Sequence, residues 1–312
     1  MSRALSSAHA EMVFFPSVYT WTPVFSREKV LLGVHDVIAE DYPDLVFPDK
    51  KSRFLWRLKS ALAQAQADAF LTVSRYAREG IVRQFGHPIH RIHVVEEAPD
   101  PVFRPLAKDQ VDSNLLRRMG IGAETRFFVY LGGINPHKNL GALVECMMEL
   151  RAMPAFADVQ LVIVGELERE IFTPGVAMLR EKIKKLAADD AVILAGYLSD
   201  EEVCQIINLS MALVLPSFSE GFGLPAVEAA ACGRPVIATR NSPLPDLLEG
   251  GGIFIDPTDP GNLLAALLRI ASDEERREEM GKMNLKLAKG LTWRRSAAQF
   301  LEILETIEST FR

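Results

Sequence analysis

The chain has 312 residues, enough for two domains of ordinary size, and its 48% apolar and 24% charged residues are those of a folded globular protein. A formal net charge of −6 argues against nucleic acid as a partner, and 13 basic and 12 acidic residues over 1–105 against 22 and 29 over 106–312 place the acidity in the second part. No apolar run approaches the ~18 residues needed to span a bilayer, Met1–Ala10 lacks the apolar core of a signal peptide, and three cysteines (Cys146, Cys204, Cys232) without paired spacing suit a reducing, cytoplasmic setting.

Short apolar runs alternate with amphipathic stretches, the pattern of an α/β protein with parallel sheets. Strands are expected at Met12–Phe15, Val30–His35, Ala69–Val73 and Ile92–Val95, with helices at Lys51–Gln66 and Arg75–Gln84. The segment Glu97–Pro105 carries three prolines in nine residues and reads as an extended approach to a domain boundary. The alternation then restarts: strands at Phe127–Leu131, Val159–Val164, Val192–Leu194, Ala212–Leu215 and Val236–Ala238, with helices at Leu140–Leu150, Val176–Ala187, Asp200–Leu209, Pro225–Cys232 and Leu244–Leu248. Such βα units wind right-handed into a doubly wound sheet. Gly261 to Phe311 reads as mostly helical. The division expected is 1–105, 106–290, and a terminal segment, 291–312, that crosses back to the first domain.

The strongest local signal follows the strand at Ala212–Leu215 and reads Glu220-Gly-Phe-Gly-Leu-Pro-Ala-Val-Glu228. Gly221 and Gly223 let the backbone approach a ligand without a Cβ in the way. Pro225 suits a first helical turn, and the free N–H groups there form an anion site at the carboxyl edge of the sheet. A glycine pair alone is what any βα turn needs, and Glu228 alone would be a solvated helix residue. Two carboxylates bracketing this turn on so regular a sheet point to a ligand. A second turn, Tyr130-Leu-Gly-Gly-Ile-Asn-Pro-His-Lys-Asn139, places Lys138 at a helix start, where it opposes the dipole unless an anion sits above it.

Together these residues resemble the retaining GT-B glycosyltransferases of family 4, or group 1. Glu220 and Glu228 match the family's Glu-x7-Glu pattern and Gly132 to Asn139 its Gly-to-Lys-Asn turn. Val162-Ile-Val-Gly165, Leu194-Ala-Gly-Tyr-Leu198, Cys232-Gly-Arg-Pro-Val-Ile-Ala238 and Ile253-Phe-Ile-Asp-Pro257 follow in the family's order. The resemblance covers nearly all of 104–312. It implies a GT-B architecture of two Rossmann-like, doubly wound domains, the first incomplete. It implies that Glu220 faces the donor sugar, Glu228 holds the ribose hydroxyls, and backbone N–H groups of Gly221, Phe222, Gly223 and Leu224 hold sugar or phosphate oxygens. Lys138, beside Gly132 and Gly133, would neutralise the diphosphate, and Gly196 and Tyr197 would flank the base. Many members carry an arginine where this chain has Gly133, which leaves Lys138, His137 and helix-end amides for the leaving group. Val30-Leu-Leu-Gly-Val-His-Asp36 resembles the family's strand that ends in a histidine facing the donor sugar. His35 is carried over on that basis, and Asp36 with it; alone, such a histidine is usually a packed strand-end residue.

The implied reaction moves a sugar from a nucleoside-diphosphate donor to a glycan or lipid-linked acceptor with retention of configuration. GDP-mannose is favoured over a UDP-sugar from the Gly-Gly-x-x-Pro-His-Lys-Asn turn. No cofactor and no metal are expected, since the chain has no Asp-x-Asp motif for a metal-bound diphosphate. Lys50-Lys-Ser-Arg-Phe-Leu-Trp-Arg-Leu-Lys59 sets five cations among apolar residues, a pattern shared by an ordinary helix with a solvated charged face and by a basic amphipathic helix lying on the inner face of a membrane. The opening strand, glycine-rich loop and long helix of the family's first domain have no counterpart before Ala10. That leaves three accounts: a mis-assigned start, a split enzyme whose amino-terminal half is a separate chain, or an inactive paralogue that binds nucleotide sugar or a partner without turnover. Nucleotide-sugar epimerases share the architecture, but no signature of theirs is present.

Overall fold

The computed structural model describes residues 10–25, 28–107, 110–122, 124–167 and 175–310. Most of the segment Met1–Ala10 read above, residues 1–9, and Phe311 lie outside them.

The chain divides into two compact units: Met1–Glu97 with Arg294–Arg312, and Ala98–Trp293. The first is built on a four-stranded parallel sheet of β1 (Met12–Phe15), β2 (Lys29–Gly33), β3 (Ala69–Thr72) and β4 (Ile92–Val94), in the order β1-β2-β3-β4. Val13, Phe15, Val30, Leu32, Phe70 and Ile92 put their side chains into one core with Ala63 and Ile81 of the covering helices Lys50–Gln66 and Arg75–Phe85. Both helices start on side chains that accept an orphan N–H: Asp49 from Ser52 and Ser74 from Ala77. The terminal helix Trp293–Thr310 covers the other face, where Ile307 packs on Leu31 and Ala69 and Phe300 meets Phe14 with ring centres 5.3 Å apart. Ser296 Oγ donates to the Glu96 carbonyl at 2.6 Å, fastening the start of that helix to the segment leaving β4.

The second unit holds a six-stranded parallel sheet. Its strands are β5 (Phe127–Leu131), β6 (Gln160–Val164), β7 (Val192–Gly196), β8 (Leu213–Leu215), β9 (Val236–Thr239) and β10 (Gly252–Ile255), ordered β10-β9-β8-β5-β6-β7. Leu161, Val162, Ile163, Leu213, Val214, Val236 and Ile237 are fully buried, as continuous apolar strands are when helices cover both faces. The strand order reverses between β5 and β8, which pair through Val129 and Leu213. In a doubly wound sheet that reversal opens a crevice at the carboxyl edge.

Several expected boundaries move for local reasons. The segment around Pro105 groups with the second unit, because Asn208 Nδ2 donates to the Arg104 carbonyl and Asn208 Oδ1 accepts from Leu106 N, both at 2.9 Å. The helix expected to reach Ala187 stops at Lys185, because Ala187 turns left-handed at φ 49° and Ala188 N returns to the Ile183 carbonyl. The strand expected to reach His35 ends at Gly33, where a Cβ would lie 2.2 Å from Pro16 O. The short helices Ile38–Asp41 and Pro43–Val46 follow, the first opened by Asp36 Oδ1 accepting from Ile38 N. Cys204 and Cys232, 28 residues apart, meet in the fold with sulfurs 3.9 Å apart as free, buried thiols.

Candidate functional site

The turns that follow β5 and β8 lie side by side because their strands are neighbours at the switch point. Lys138 comes from the first turn and Glu220 from the second, 82 residues later, and Lys138 Nζ donates to Glu220 Oε1 at 2.8 Å. Ser217 Oγ donates to the same oxygen at 2.6 Å. Only 19% of the lysine side chain and 10% of the glutamate side chain are exposed, so salt screens this pair far less than a surface pair. Expectation and structure differ on one point of chemistry: Lys138 is not a bare cation awaiting a phosphate, since a carboxylate already shares its charge.

Backbone bonds fix the pair in place. Phe218 N donates to the His137 carbonyl at 2.9 Å, which joins the two turns directly. Glu220 N donates to Asn241 O at 3.1 Å, and Asn241 Nδ2 donates to Phe218 O at 3.0 Å, so the loop after β9 clamps the loop after β8. Asn139, left-handed at φ 58°, donates through Nδ2 to Pro216 O at 3.2 Å and Pro257 O at 3.0 Å. Beneath the first turn, the fully buried Tyr130 donates its hydroxyl to Gly133 O at 2.7 Å. Burial, and then the nearby Glu220 carboxylate, hold that phenol protonated far above the ordinary tyrosine range.

The glycines serve distinct ends. Gly132 has φ 141°, a backbone only glycine adopts easily, and the Gly132 carbonyl lies where a Cβ on Gly165 would come within 2.2 Å. Gly223, at φ 85°, caps the helix Leu224–Ala231 without a side-chain bond to its first N–H groups. Gly221 and Phe222 are buried in the loop before it, Leu224 opens the helix, and Glu228 stands half-buried one turn further on. Gly196 ends β7, the edge strand two places from β5, and accepts from Gly165 N at 3.1 Å; Tyr197 follows it, 78% exposed. His35 belongs to the first unit, where it is exposed and lines a cavity of about 120 Å³ with Tyr19, Glu40 and Trp56. Asp36, carried over with it, serves as the turn-former of the next helix.

His137 stands beside Lys138 but does not share its charge. Burial first, and the Lys138 charge second, lower its pKa to about 4, so the imidazole is neutral at physiological pH and adds no positive charge for a leaving group. Its Nδ1 is buried with no hydrogen-bond partner among the described residues. The folded value lies below the ordinary 6.5, so the unfolded chain binds the proton more readily between the two. The stability carried by the neutral ring is complete above pH 6.5 and is lost as pH falls towards 4, at most about 3 kcal/mol. His137→Gln should flatten that acid limb in urea-denaturation midpoints; an unchanged limb would assign it to another group.

Sequence reasoning missed Ser217, Tyr130, Asn139 and Asn241 as site residues. Ser217 could have been found as the hydroxyl three residues before Glu220 in the same turn. Tyr130 and Asn139 lay within the quoted motif: Tyr130 bonds to Gly133 O inside the same turn, whereas Asn139 had no partner to define it until the segments after β8 and β10 were placed.

Two parallel, helix-flanked sheets, the second with glycine turns and a sheltered ion pair at its switch point, define the GT-B glycosyltransferase class of fold. Solved structures agree. Sucrose-phosphate synthase from Thermosynechococcus elongatus superposes with a TM-score of 0.74 at 20% identity, over 92% of this chain and 69% of its own. Anabaena HepE, in complex with UDP-glucose, gives 0.74 at 19% identity over 91% and 73%. Residues 113–286, more than half of the chain, match the family described as glycosyl transferases group 1, and the protein belongs to that family. Among curated relatives, O-antigen chain mannosyltransferase B of Escherichia coli is 26% identical over 273 residues, 87% of this chain and 69% of its own length. The D-inositol 3-phosphate glycosyltransferase of Thermobifida fusca is 31% identical over 235 residues, 73% of this chain and about half (53%) of its own.

Proposed function

We propose that the protein transfers a hexosyl group from a nucleoside-diphosphate sugar, GDP-mannose in preference to a UDP-sugar, to a glycan or lipid-linked acceptor with retention of configuration. The observation that carries this reading is the Lys138–Glu220 pair, held at 2.8 Å beside the glycine turn Gly132–Gly133 and the uncapped helix start at Gly223–Leu224. Departure of a nucleoside diphosphate moves negative charge onto its oxygens and leaves a cationic sugar ring. Fixed charges of both signs, already oriented, stabilise that separation without reorganising during the step. Lys138 and the free N–H groups of Leu224–Ala231 would take the diphosphate. Glu220 would face the developing ring charge, and the neutral His137 would donate one hydrogen bond to a phosphate or sugar oxygen. Glu228, on the same helix, is the group for the ribose hydroxyls, and Gly196 with Tyr197 for the base.

Similarity to an O-antigen chain mannosyltransferase and the same fold in a protein solved with UDP-glucose both support a nucleotide-sugar donor. The test is a panel of GDP- and UDP-sugars offered to the full chain, with binding, hydrolysis and transfer read separately, with and without EDTA. GDP-mannose turnover that persists in EDTA, with the α-linkage kept, is expected. Binding without hydrolysis or transfer would make the chain a binding subunit, and no binding to any donor would overturn the reading.

A further inference from the structure

The helix Lys50–Gln66 of the first unit is apolar on two sides: it gives Ala63 and Trp56 to the core and leaves a second apolar stripe in solvent. Its buried side carries Ser60, Ala63 and Gln64, and the polar groups satisfy one another: Gln64 Nε2 donates to Ser60 Oγ at 2.8 Å, and Gln64 Oε1 meets His87 Nε2 at 2.9 Å. Trp56, grouped with the apolar surface on sequence, turns inward, where Nε1 donates to Glu40 Oε1 at 2.9 Å. The side facing solvent carries Phe54, Leu55, Leu58 and Leu62, exposed by 64%, 53%, 48% and 50%. At 3.6 residues per turn these four fall within about 100° of the helix circumference, one continuous stripe. The stripe gains nothing from burial until something covers it, and exposed apolar patches of this kind mark interaction surfaces.

Charge identifies the cover. The helix holds five cations and no acid. Arg53 is engaged by Asp44 at 3.3 Å, and Asp49 is spent on capping the helix. Lys50 and Arg57 flank the stripe on one side, Lys51 begins it, and Lys59 lies on the other side with Nζ donating to the Tyr19 carbonyl. The loop carrying Tyr19 and Phe25 runs alongside, bound where Gln66 exchanges hydrogen bonds with both the N–H and C=O of Val24. It adds two more exposed aromatic rings, at 56% and 81%. A second copy of the chain would set this basic face against itself across a two-fold axis, like charge on like. No helix among the described residues is long and apolar enough to cross a membrane, so the helix can lie on a bilayer but not span it.

We infer that this face docks on an anionic phospholipid bilayer, with Phe54, Leu55, Leu58 and Leu62 seated at the acyl boundary and the flanking Lys and Arg ammonium and guanidinium groups among the headgroup phosphates. This depth and composition are those of an interfacial amphipathic helix. The inference does not rest on sugar transfer, and its assay contains no sugar. The full chain is mixed with sucrose-loaded vesicles of phosphatidylcholine, with or without roughly one third phosphatidylglycerol, and pelleted. Binding is expected on the anionic vesicles and not on pure phosphatidylcholine. Phe54→Ser with Leu58→Ser should weaken it by at least about tenfold, and Lys50→Gln, Lys51→Gln and Arg57→Gln together by about a hundredfold. All five positions are solvent-exposed, so the circular-dichroism melts should match the parent. No binding of the parent to anionic vesicles, or binding unaltered in both variants, would overturn the inference. A lipid-free dimer in sedimentation velocity that Leu58→Ser dissociates would overturn it too, giving the face to a second copy instead.

Discussion

Lys138→Ala should lower sugar transfer by about 10- to 1,000-fold, and Glu220→Ala by at least about tenfold. The two losses should differ in kind. Without Lys138 the diphosphate loses its cation both on binding and on departure, so KM for the donor rises and kcat falls. Without Glu220 the ammonium is released from its carboxylate and holds the bound diphosphate no less firmly. KM then holds or drops, and kcat falls because the ring charge has lost its counter-charge. Each single variant also leaves one member of a mostly sheltered pair uncompensated, at a cost of up to about 3 kcal/mol. Lys138→Ala/Glu220→Ala removes both charges, so its melting should lie above that of the less stable single variant while its transfer stays low. Steady-state kinetics on the four proteins, with thermal melts alongside, separate chemistry from stability. Parent-like rates in both single variants would end the assignment of this pair.

The second large effect is expected at Gly165, a residue that touches no ligand in the proposed reaction. A Cβ there would lie 2.2 Å from the Gly132 carbonyl oxygen, and since both partners are backbone no side chain can rotate away. Gly165→Ala should therefore push the turn after β5 outward. The turn carries Lys138, and Phe218 N holds its His137 carbonyl, so the displacement reaches the β8 loop as well. Overpacking of this kind costs about 1–3 kcal/mol. The signature to look for is a lowered denaturation midpoint together with a raised donor KM. Gly141, near the start of the helix Leu140–Arg151, is the control. A Cβ there meets nothing within 4 Å, and alanine should hold or raise stability by up to about 1 kcal/mol. If Gly165→Ala and Gly141→Ala behave alike, close packing of this turn is not what positions the lysine.

Most of the fold was legible because parallel strands buried on both faces read as unbroken apolar runs. Phe127–Leu131 was recovered to the residue, as were Met12–Phe15, although its Phe14 is 40% exposed, and the helix Asp200–Leu209, which the structure shows opened by a capping box between Ser199 and Glu202. β10 was seen as a motif but not as a strand, since Gly252 and the following Asp256-Pro257 mask a four-residue edge run. The helix Ile38–Asp41 escaped because a single Asx turn starts it and no apolar period supports it. In the site, residue types were legible and partnerships were not. Lysine and glutamate each read as a ligand group, yet only the adjacency of β5 and β8 shows that they bind each other. Sequence likewise named His137 for the leaving group without fixing its charge. Its neutrality comes from burial and a neighbouring ammonium, which depend on the folded chain. The helix Lys50–Gln66 was read as amphipathic, but which side faces inward is decided by Ser60 and Gln64 finding partners, not by hydropathy.

One side-chain amide has wider reach than its size implies. Asn139 bridges the carbonyls of Pro216 and Pro257, so a single residue at the end of the turn after β5 is anchored to the chain leaving β8 and the chain leaving β10. Lifting any of these loops alone breaks a bond that belongs to another, and the left-handed backbone of Asn139 leaves little slack to keep both. One amide therefore couples these three loops, so that opening any of them costs a hydrogen bond held by another. A ligand ordering one of the three loops should raise amide-exchange protection in the other two, and Asn139→Ala should remove that coupling.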